Sequence, residues 1–220
     1  IHASVGLPEG DNYSTQLGSD GAIVNYTVIH QLGSFADIAT GADTLQGMAA
    51  GANLSRNFAL GANIDASATL SGSAFQPIGT PASPFAGRFD GLGNEISSLR
   101  VAFQADGTGL FGVTSSSAQL TNVGLPNAKV DYVWQEQKSV GALVGRNLGS
   151  IANSYATGDV RANTFTGGLV GWNQGSIARS YFSGYVSAGN RLGGLVGVNS
   201  GAISNAYSTG QVVSSFSQNF

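Results

Sequence analysis

Few side chains in this sequence could carry acid–base chemistry. Asp90 and Glu95 lie in one short segment beside a glycine turn, and a hydrolase or lyase would use such carboxylates as general acid and base. Neither has an evident partner in the sequence. His30 ends a predicted strand and His2 stands near the first residue, so a structural or solvated role is favoured over a nucleophilic triad. The sequence therefore predicts no catalytic residue.

Metal, phosphate and nucleic-acid chemistry lacks the residues it needs. The 220 residues include no cysteine. The His, Asp and Glu residues are not grouped at the spacing that metal ligands need, and the segment Asn63–Asp65 is too short for a calcium-binding loop. The glycines do not form a phosphate-binding loop. The sequence contains no run of Lys and Arg that would indicate nucleic-acid binding. It also contains no apolar run of about 18 residues that would indicate membrane insertion. We expect no metal, no cofactor and no nucleic-acid partner.

Recognition of a carbohydrate or a protein is the remaining chemistry. Exposed aromatic rings can stack on sugar faces or anchor a partner, and arginine can add charged hydrogen bonds. Such residues occur at positions that differ between copies of the sequence repeat described below. The candidate binding residues are Trp172, Arg179, Tyr185 and Arg191.

A repeated unit must position these candidates. Three copies align without gaps at a period of 26 residues, over 141–166, 167–192 and 193–218. The middle copy begins "GGLVGWNQGSIARSYFSGYV", and its Leu, Val, Gly, Asn, Ile and Tyr recur in the other two. The apolar runs between glycines are too short for helices. Weaker copies precede these three, including "FDGLGNEISSLRV" from Phe89.

This period predicts an all-β fold, a parallel β-helix or solenoid with about 26 residues per coil. A propeller is disfavoured because its blades need about 40 residues or more. Equivalent residues would stack in columns, with the Leu143, Ile151 and Val160 columns facing inward. We expect two structural ladders. Asparagines would form a hydrogen-bonded corner ladder in left-handed backbone, and tyrosines would stack ring on ring, either inside or along a corner: Asn147, Asn173, Asn199, Tyr155, Tyr181 and Tyr207.

The N-terminal part follows a different pattern. Residues 1–35 are predicted as a lead-in segment containing the strand "AIVNYTVIH", and 36–220 as the β-helix. One short helix is predicted within Gly41–Leu54, with Asp43 as its N-cap and an apolar stripe through Leu45 and Met48.

The repeats resemble the GLUG repeat of large bacterial surface proteins. The upstream segments "YTVIHQLG", "DTLQGMAAGANLSRNFALGANIDASAT" and "FQPIG" resemble the region that precedes such repeats in filamentous-haemagglutinin-like adhesins, so the resemblance covers roughly residues 26–213. It implies a right-handed β-helix, export by the two-partner route through an outer-membrane transporter, and adhesion or aggregation at the bacterial cell surface. It implies no catalytic residues.

Two functions follow as hypotheses. The first is a non-catalytic stalk segment of a much larger secreted adhesin, of which this chain is a mature or excised fragment. Its partner would be a host-cell or matrix receptor, with a glycan as one candidate. The alternative is a β-helical carbohydrate-active enzyme, a polysaccharide lyase or hydrolase, which would need acids clustered in a groove.

Overall fold

The computed structural model describes residues 4–102, 107–131 and 138–214, so His2 and the end of the third repeat lie outside it. Its helices are α1 (Ala36–Thr40) and α2 (Ala68–Ser71), with 3-10 turns at Gly47–Ala49 and Gly51–Asn53. Its strands are β1 (Gly10–Thr15), β2 (Val24–Ile29), β3 (Phe58–Leu60), β4 (Ile64–Asp65), β5 (Arg88–Asp90), β6 (Ile96–Ser97), β7 (Arg100–Val101), β8 (Phe111–Thr114), β9 (Gln119–Thr121), β10 (Gly124–Asp131), β11 (Val144–Asn147), β12 (Ser150–Ala152), β13 (Tyr155–Arg161), β14 (Thr166–Gly167), β15 (Val170–Asn173), β16 (Ser176–Ala178), β17 (Tyr181–Ala188), β18 (Leu192–Gly193), β19 (Val196–Asn199), β20 (Ala202–Ser204) and β21 (Tyr207–Ser214).

Parallel strands from successive segments form three main sheets. Their strand orders are β1-β2-β3-β5-β9-β12-β16-β20, β7-β10-β13-β17-β21 and β8-β11-β15-β19, and β4–β6 and β14–β18 add two short pairs. Among the named strands, β1 alone pairs antiparallel, on β2. The chain is therefore all-β, with few helical residues and a β-helix-like arrangement of parallel sheets.

The pairing aligns equivalent residues of the three repeats. Ile151 pairs with Ile177, and Ile177 with Ile203, at a spacing of 26 positions. Upstream the same sheet pairs residues that are 31 positions apart: Thr27 with Phe58, Phe58 with Phe89, Phe89 with Leu120, and Leu120 with Ile151. In this sheet the spacing of 26 positions therefore holds among the three repeats and is replaced by 31 positions upstream of them. The longer units accommodate α1, α2 and the 3-10 turns in their connections.

The core consists of the inward side chains of these sheets. Phenylalanines fill the core of the upstream part, where Phe58, Phe85, Phe89 and Phe111 have no solvent exposure. Aliphatic residues fill the repeats, in the predicted inward columns: Leu143, Leu169, Ile151, Ile177, Val160 and Val186 are at most 1% exposed. Ile203 and Val212 of the third repeat are 39% and 47% exposed, because among the described residues only one side of that repeat is covered.

The helix predicted within 41–54 is wrong. The segment forms the two 3-10 turns, and Asp43 accepts a hydrogen bond from Arg56 at 2.8 Å instead of capping a helix. The side-chain amide of Asn53 donates to the carbonyl oxygens of Gly41 and Gly47, groups that a continuous helix would use. The apolar stripe is nevertheless buried, since Leu45 and Met48 are fully inaccessible.

A buried asparagine ladder joins the repeats. Asn147 Nδ2 donates to Asn173 Oδ1 at 2.8 Å, and Asn173 Nδ2 donates to Asn199 Oδ1 at 2.8 Å. The hydroxyl of Thr114 donates to Asn147 Oδ1 at 2.9 Å, at the upstream end of the ladder. Asn147 and Asn173 have no solvent exposure. These two amides thus bond across strand pairs without contact with water, whereas Asn199 at the downstream end of the ladder is exposed.

The predicted left-handed backbone of this ladder is wrong. The positive φ angles occur at a different column, at Asn153 (52°), Arg179 (47°) and Asn205 (49°). Asn147, Asn173 and Asn199 end the strands β11, β15 and β19 and keep extended conformations. Their amides point inward and serve the ladder, while the next corner needs a residue that tolerates positive φ.

The glycine columns serve two different needs. Gly158 has a φ of 121°, a conformation that L side chains rarely adopt. Gly175 instead lies against the previous repeat, where a Cβ atom would approach the carbonyl oxygen of Gly149 to 2.0 Å. Close backbone approach, rather than an unusual φ, therefore requires glycine at this second kind of position.

Gly175→Ala should lower the free energy of unfolding by about 2 kcal/mol or more, because the methyl group would collide with the carbonyl oxygen of Gly149, which accepts from the backbone N–H of Ser176. Gly51→Ala is the control, since no atom lies within 4 Å of its added Cβ, and its effect should stay within about 1 kcal/mol. Urea unfolding followed by circular dichroism measures both. Equal stabilities for the two variants would contradict the close approach.

Asn173→Asp should lower the free energy of unfolding by about 3 kcal/mol, because a buried carboxylate would replace an amide that donates to Asn199. Asn199→Asp changes the same chemistry at the exposed end of the ladder and should cost less than about 1 kcal/mol. The same urea titrations compare the two. Similar losses would show that the ladder does not depend on burial.

Candidate functional site

Two of the candidate binding residues, Trp172 and Arg191, belong to one surface cluster because both contact Phe165. The guanidinium carbon of Arg146 lies 4.7 Å from the centre of the Trp172 ring. Trp172 contacts Phe165 edge to face, with ring centres 6.2 Å apart, and the Arg191 guanidinium carbon lies 4.8 Å from the Phe165 ring centre. We call Arg146, Phe165, Trp172 and Arg191 the arginine–aromatic cluster.

The repeat register builds this cluster. Arg146 in β11 pairs directly with Trp172 in β15, and alternation along β15 turns Trp172 outward because Asn173 points inward. Phe165 and Arg191 occupy equivalent positions immediately before β14 and β18, which pair in parallel. The first repeat supplies Arg146 and Phe165, and the middle repeat supplies Trp172 and Arg191. Each of the two repeats thus contributes one arginine and one aromatic ring.

The cluster is partly exposed and positively charged. Arg191 is exposed, and Arg146, Phe165 and Trp172 are half-buried. Arg146 Nε donates to Gln174 Oε1 at 2.6 Å. Within residues 4–102, 107–131 and 138–214, neither arginine of the cluster forms an ion pair with a carboxylate. Its guanidinium groups rest on aromatic rings instead.

Tyr185 belongs to a different sheet. It lies in β17, where the guanidinium carbon of Arg161 is 5.4 Å from its ring centre. Arg161 also pairs with Asp159 at 3.1 Å, so its charge is locally balanced. Arg179 occupies the positive-φ corner, and its Nε donates to Asn153 Oδ1 at 2.7 Å. The four sequence candidates therefore do not form one site.

Arg146 and Phe165 are the two cluster residues absent from the sequence candidates, and the less evident of the two is Phe165. It precedes Arg191 by one repeat period, so the two share a column, as Arg146 and Trp172 do. Comparing the two columns side by side would have shown an arginine beside an aromatic residue in both. The connection between β13 and β14 had no strand pattern to mark it as part of this surface.

The tyrosine ladder lies on the outer surface. Tyr155 and Tyr181 stack with ring centres 5.0 Å apart and planes 7° apart, and Tyr181 and Tyr207 stack at 5.2 Å and 6°. The first two are half-buried and Tyr207 is 57% exposed. Because each tyrosine ring covers the face of the next, the ladder exposes mainly ring edges and hydroxyl groups to solvent.

The tyrosine ladder borders a cleft of about 510 Å³ that contains one carboxylate, Glu95, among its described lining residues. The Tyr155 hydroxyl donates a hydrogen bond to Glu95 Oε1. Burial, together with this bond and the charge of Glu95, raises the pKa of Tyr155 well above its ordinary value near 10. Tyr155 is therefore a hydrogen-bond donor at neutral pH and a poor general base.

The carboxylates that seemed unpartnered in the sequence have partners. Glu95 bonds Tyr155, and Asp90 Oδ1 accepts from Asn122 Nδ2 and from the backbone N–H of Leu92, both at 2.9 Å. His30 Nε2 donates to the carbonyl oxygen of Leu7 at 2.6 Å. Across the described ranges, no group of three or more His, Asp or Glu residues could hold a metal ion.

No helix in the described part of the chain is long and apolar enough to cross a membrane.

Comparisons with known proteins agree with the repeats. The family model of the GLUG motif matches residues 137–161 and 188–213, and the motif is present. Halomucin of Haloquadratum walsbyi is 33% identical over 101 residues, which are 45% of this chain and 1% of that protein. The chain thus spans a very small part of this relative. A Bacteroides ovatus crystal structure named "putative immunoglobulin A1 protease" aligns with a TM-score of 0.56 at 22% identity, over 86% of this chain and 71% of that one. That likeness shows the fold alone.

Proposed function

We propose that this chain is a non-catalytic segment of a large secreted bacterial surface adhesin. It is a right-handed parallel β-helix with coils of about 26 residues in the repeats, it acts as a rigid stalk, and it mediates attachment or aggregation through its outer surface. The observation that carries the proposal is the in-register pairing of equivalent residues, which leaves unlike residues such as Arg146, Trp172 and Val198 side by side on the outside.

The stalk role rests on continuous cross-strand bonding. One sheet runs through eight strands, and the buried asparagine ladder adds side-chain bonds between successive repeats. Bending or sliding would break these bonds away from water, where an unpaired polar group is costly. A stack of this kind transmits force along its length because each unit contacts only its neighbours.

Location and export are part of the proposal. The GLUG motif and the match to halomucin support a surface or secreted protein. The resemblance of residues 26–213 to filamentous-haemagglutinin-like adhesins supports export by the two-partner route, with an outer-membrane transporter as the export partner. A host-cell or matrix receptor would be the adhesive partner, and a glycan is one such receptor.

A β-helical carbohydrate-active enzyme is the alternative. Retaining and inverting hydrolases need two carboxyl groups across the scissile bond. The cleft beside the tyrosine ladder supplies Glu95 alone among its described lining residues, and Tyr155 holds its proton too firmly to act as a base. These observations favour the non-catalytic proposal.

Attachment of beads coated with this chain to cultured cells tests the adhesive role. Trp172→Ala and Tyr185→Ala should each reduce attachment about tenfold, because truncating an anchoring aromatic residue costs more than about 1 kcal/mol of binding. Phe35→Ala removes a ring from outside the repeats that is 63% exposed, more than Trp172 or Tyr185, and should leave attachment unchanged. Unchanged attachment in both repeat variants, with folding intact by circular dichroism, would remove these residues from recognition.

Tyr155→Phe tests whether this phenol is structural. It should lower the free energy of unfolding by about 1 kcal/mol, because Glu95 loses a hydrogen-bond donor. The folded-state pKa of Tyr155 is raised, so its stabilising contribution is present below pH 10 and declines as the pH rises through the folded pKa. The difference between wild type and variant should therefore be constant up to pH 10 and shrink above it.

Tyr207→Phe is the matched control, because it removes an exposed hydroxyl from the same ladder and should leave the unfolding free energy nearly unchanged. Urea titrations between pH 7 and pH 11 measure both variants. A Tyr155→Phe variant as stable as the wild type would show that the bond to Glu95 is not structural.

A further inference from the structure

Charge is unevenly distributed along the chain. Residues 138–220 contain five basic residues and one acidic residue, Asp159, which gives a net charge of +4. Residues 1–137 contain four basic and eleven acidic residues, which gives −7. The overall net charge of −3 therefore conceals a basic repeat region. Such a region attracts acidic molecules while the upstream segment repels them.

The arginine–aromatic cluster concentrates this charge in one place. Its order along the surface is arginine, tryptophan, phenylalanine, arginine, with contacts of 4.7, 6.2 and 4.8 Å between neighbours. Stacking on a ring restricts each guanidinium group and leaves its N–H edge free for planar, two-pronged hydrogen bonds. The cluster therefore holds two cationic groups in fixed positions on either side of an aromatic pair.

The guanidinium groups retain donors for a ligand. A guanidinium has five N–H donors, and Arg146 uses its Nε–H for Gln174. Arg191 is exposed and, within the described ranges, its side chain is seen in no ion pair and in no hydrogen bond. Its φ of 49° lies in the left-handed region, where arginine is uncommon.

We propose that the arginine–aromatic cluster binds an acidic polysaccharide. The two guanidinium groups would receive carboxylate or sulfate groups of the chain, and the exposed parts of the rings would contact the sugar between them. This inference rests on the proposed adhesive function and names the class of its ligand. Two consecutive repeats build the site, because the first supplies Arg146 and Phe165 and the second supplies Trp172 and Arg191.

Isothermal titration calorimetry of the whole chain with four probes tests the proposal. Heparin carries sulfate and carboxylate groups, polygalacturonate carries carboxylates only, dextran is neutral, and single-stranded DNA is a polyanion without acidic sugars. We expect binding to heparin or polygalacturonate, and the comparison of the two identifies the acidic group. Dextran should not bind.

The variant that tests the site is Arg146→Gln with Arg191→Gln. Loss of two charge-assisted contacts should weaken acidic polysaccharide binding about 100-fold. The matched control is Arg88→Gln with Lys129→Gln, which removes the same charge from residues outside the cluster and should change affinity less than about threefold. Circular dichroism and thermal unfolding establish that both variants fold.

Several outcomes would overturn the inference. Equal losses in the two double variants would show that net charge alone attracts the polymer. Single-stranded DNA binding as tightly as the polysaccharides would show a general polyanion surface, and dextran binding would show that acid groups are not needed. The bead attachment assay distinguishes failure of this inference from failure of the adhesive proposal. Full attachment by the Arg146→Gln, Arg191→Gln variant would overturn the acidic polysaccharide as the ligand and leave the adhesive proposal standing. Wild-type beads that do not attach would overturn the adhesive proposal itself.

Discussion

Parallel, in-register pairing is the constraint on which the rest of the structure depends. Each repeat bonds the next through the backbone, and the asparagine ladder fixes the same register through buried side chains, since Asn173 both accepts from Asn147 and donates to Asn199. A slip of one residue would turn Asn173 outward and Trp172 inward. The ladder thus holds the outer surface in place as firmly as it holds the core.

This pairing divides the residues of each repeat into those that stabilise the stacked strands and those that are free to vary and to bind a partner. Inward positions must fill a constant cross-section, and glycines such as Gly175 must let the backbones approach. Outward positions face no such demand, so Arg146, Trp172 and Val198 can share one column. A recognition site on such a scaffold arises from differences between adjacent repeats, and its extent is set by how many repeats contribute.

The sequence predicted what the period encodes, namely the pairing partners and the inward columns of residues 141–214. It did not predict what depends on connections, because loops follow no period. The 31-residue spacing from Thr27 to Ile151 absorbs helices and 3-10 turns, and Asn53 replaces a predicted helix by bonding the carbonyl groups of Gly41 and Gly47. The asparagine backbone was mispredicted because Asn suits both a buried amide ladder and a left-handed corner, and only packing decides between them.

Stacking also explains why Arg146, Arg161 and Arg191 pair with aromatic, neutral or acidic residues rather than with cations in the described part of the repeats. Strands in one sheet lie about 4.8 Å apart, and like charges at that distance repel by about 1 to 3 kcal/mol. Tyrosines can therefore repeat in a column where arginines cannot. In the repeats Arg146 is followed by Trp172, and Arg191 is preceded by Phe165. Upstream, where Arg100 and Lys129 do pair, Asp131 lies 3.9 Å from both. A basic surface on this fold must therefore alternate cations with uncharged groups, and aromatic rings fill those places in the arginine–aromatic cluster.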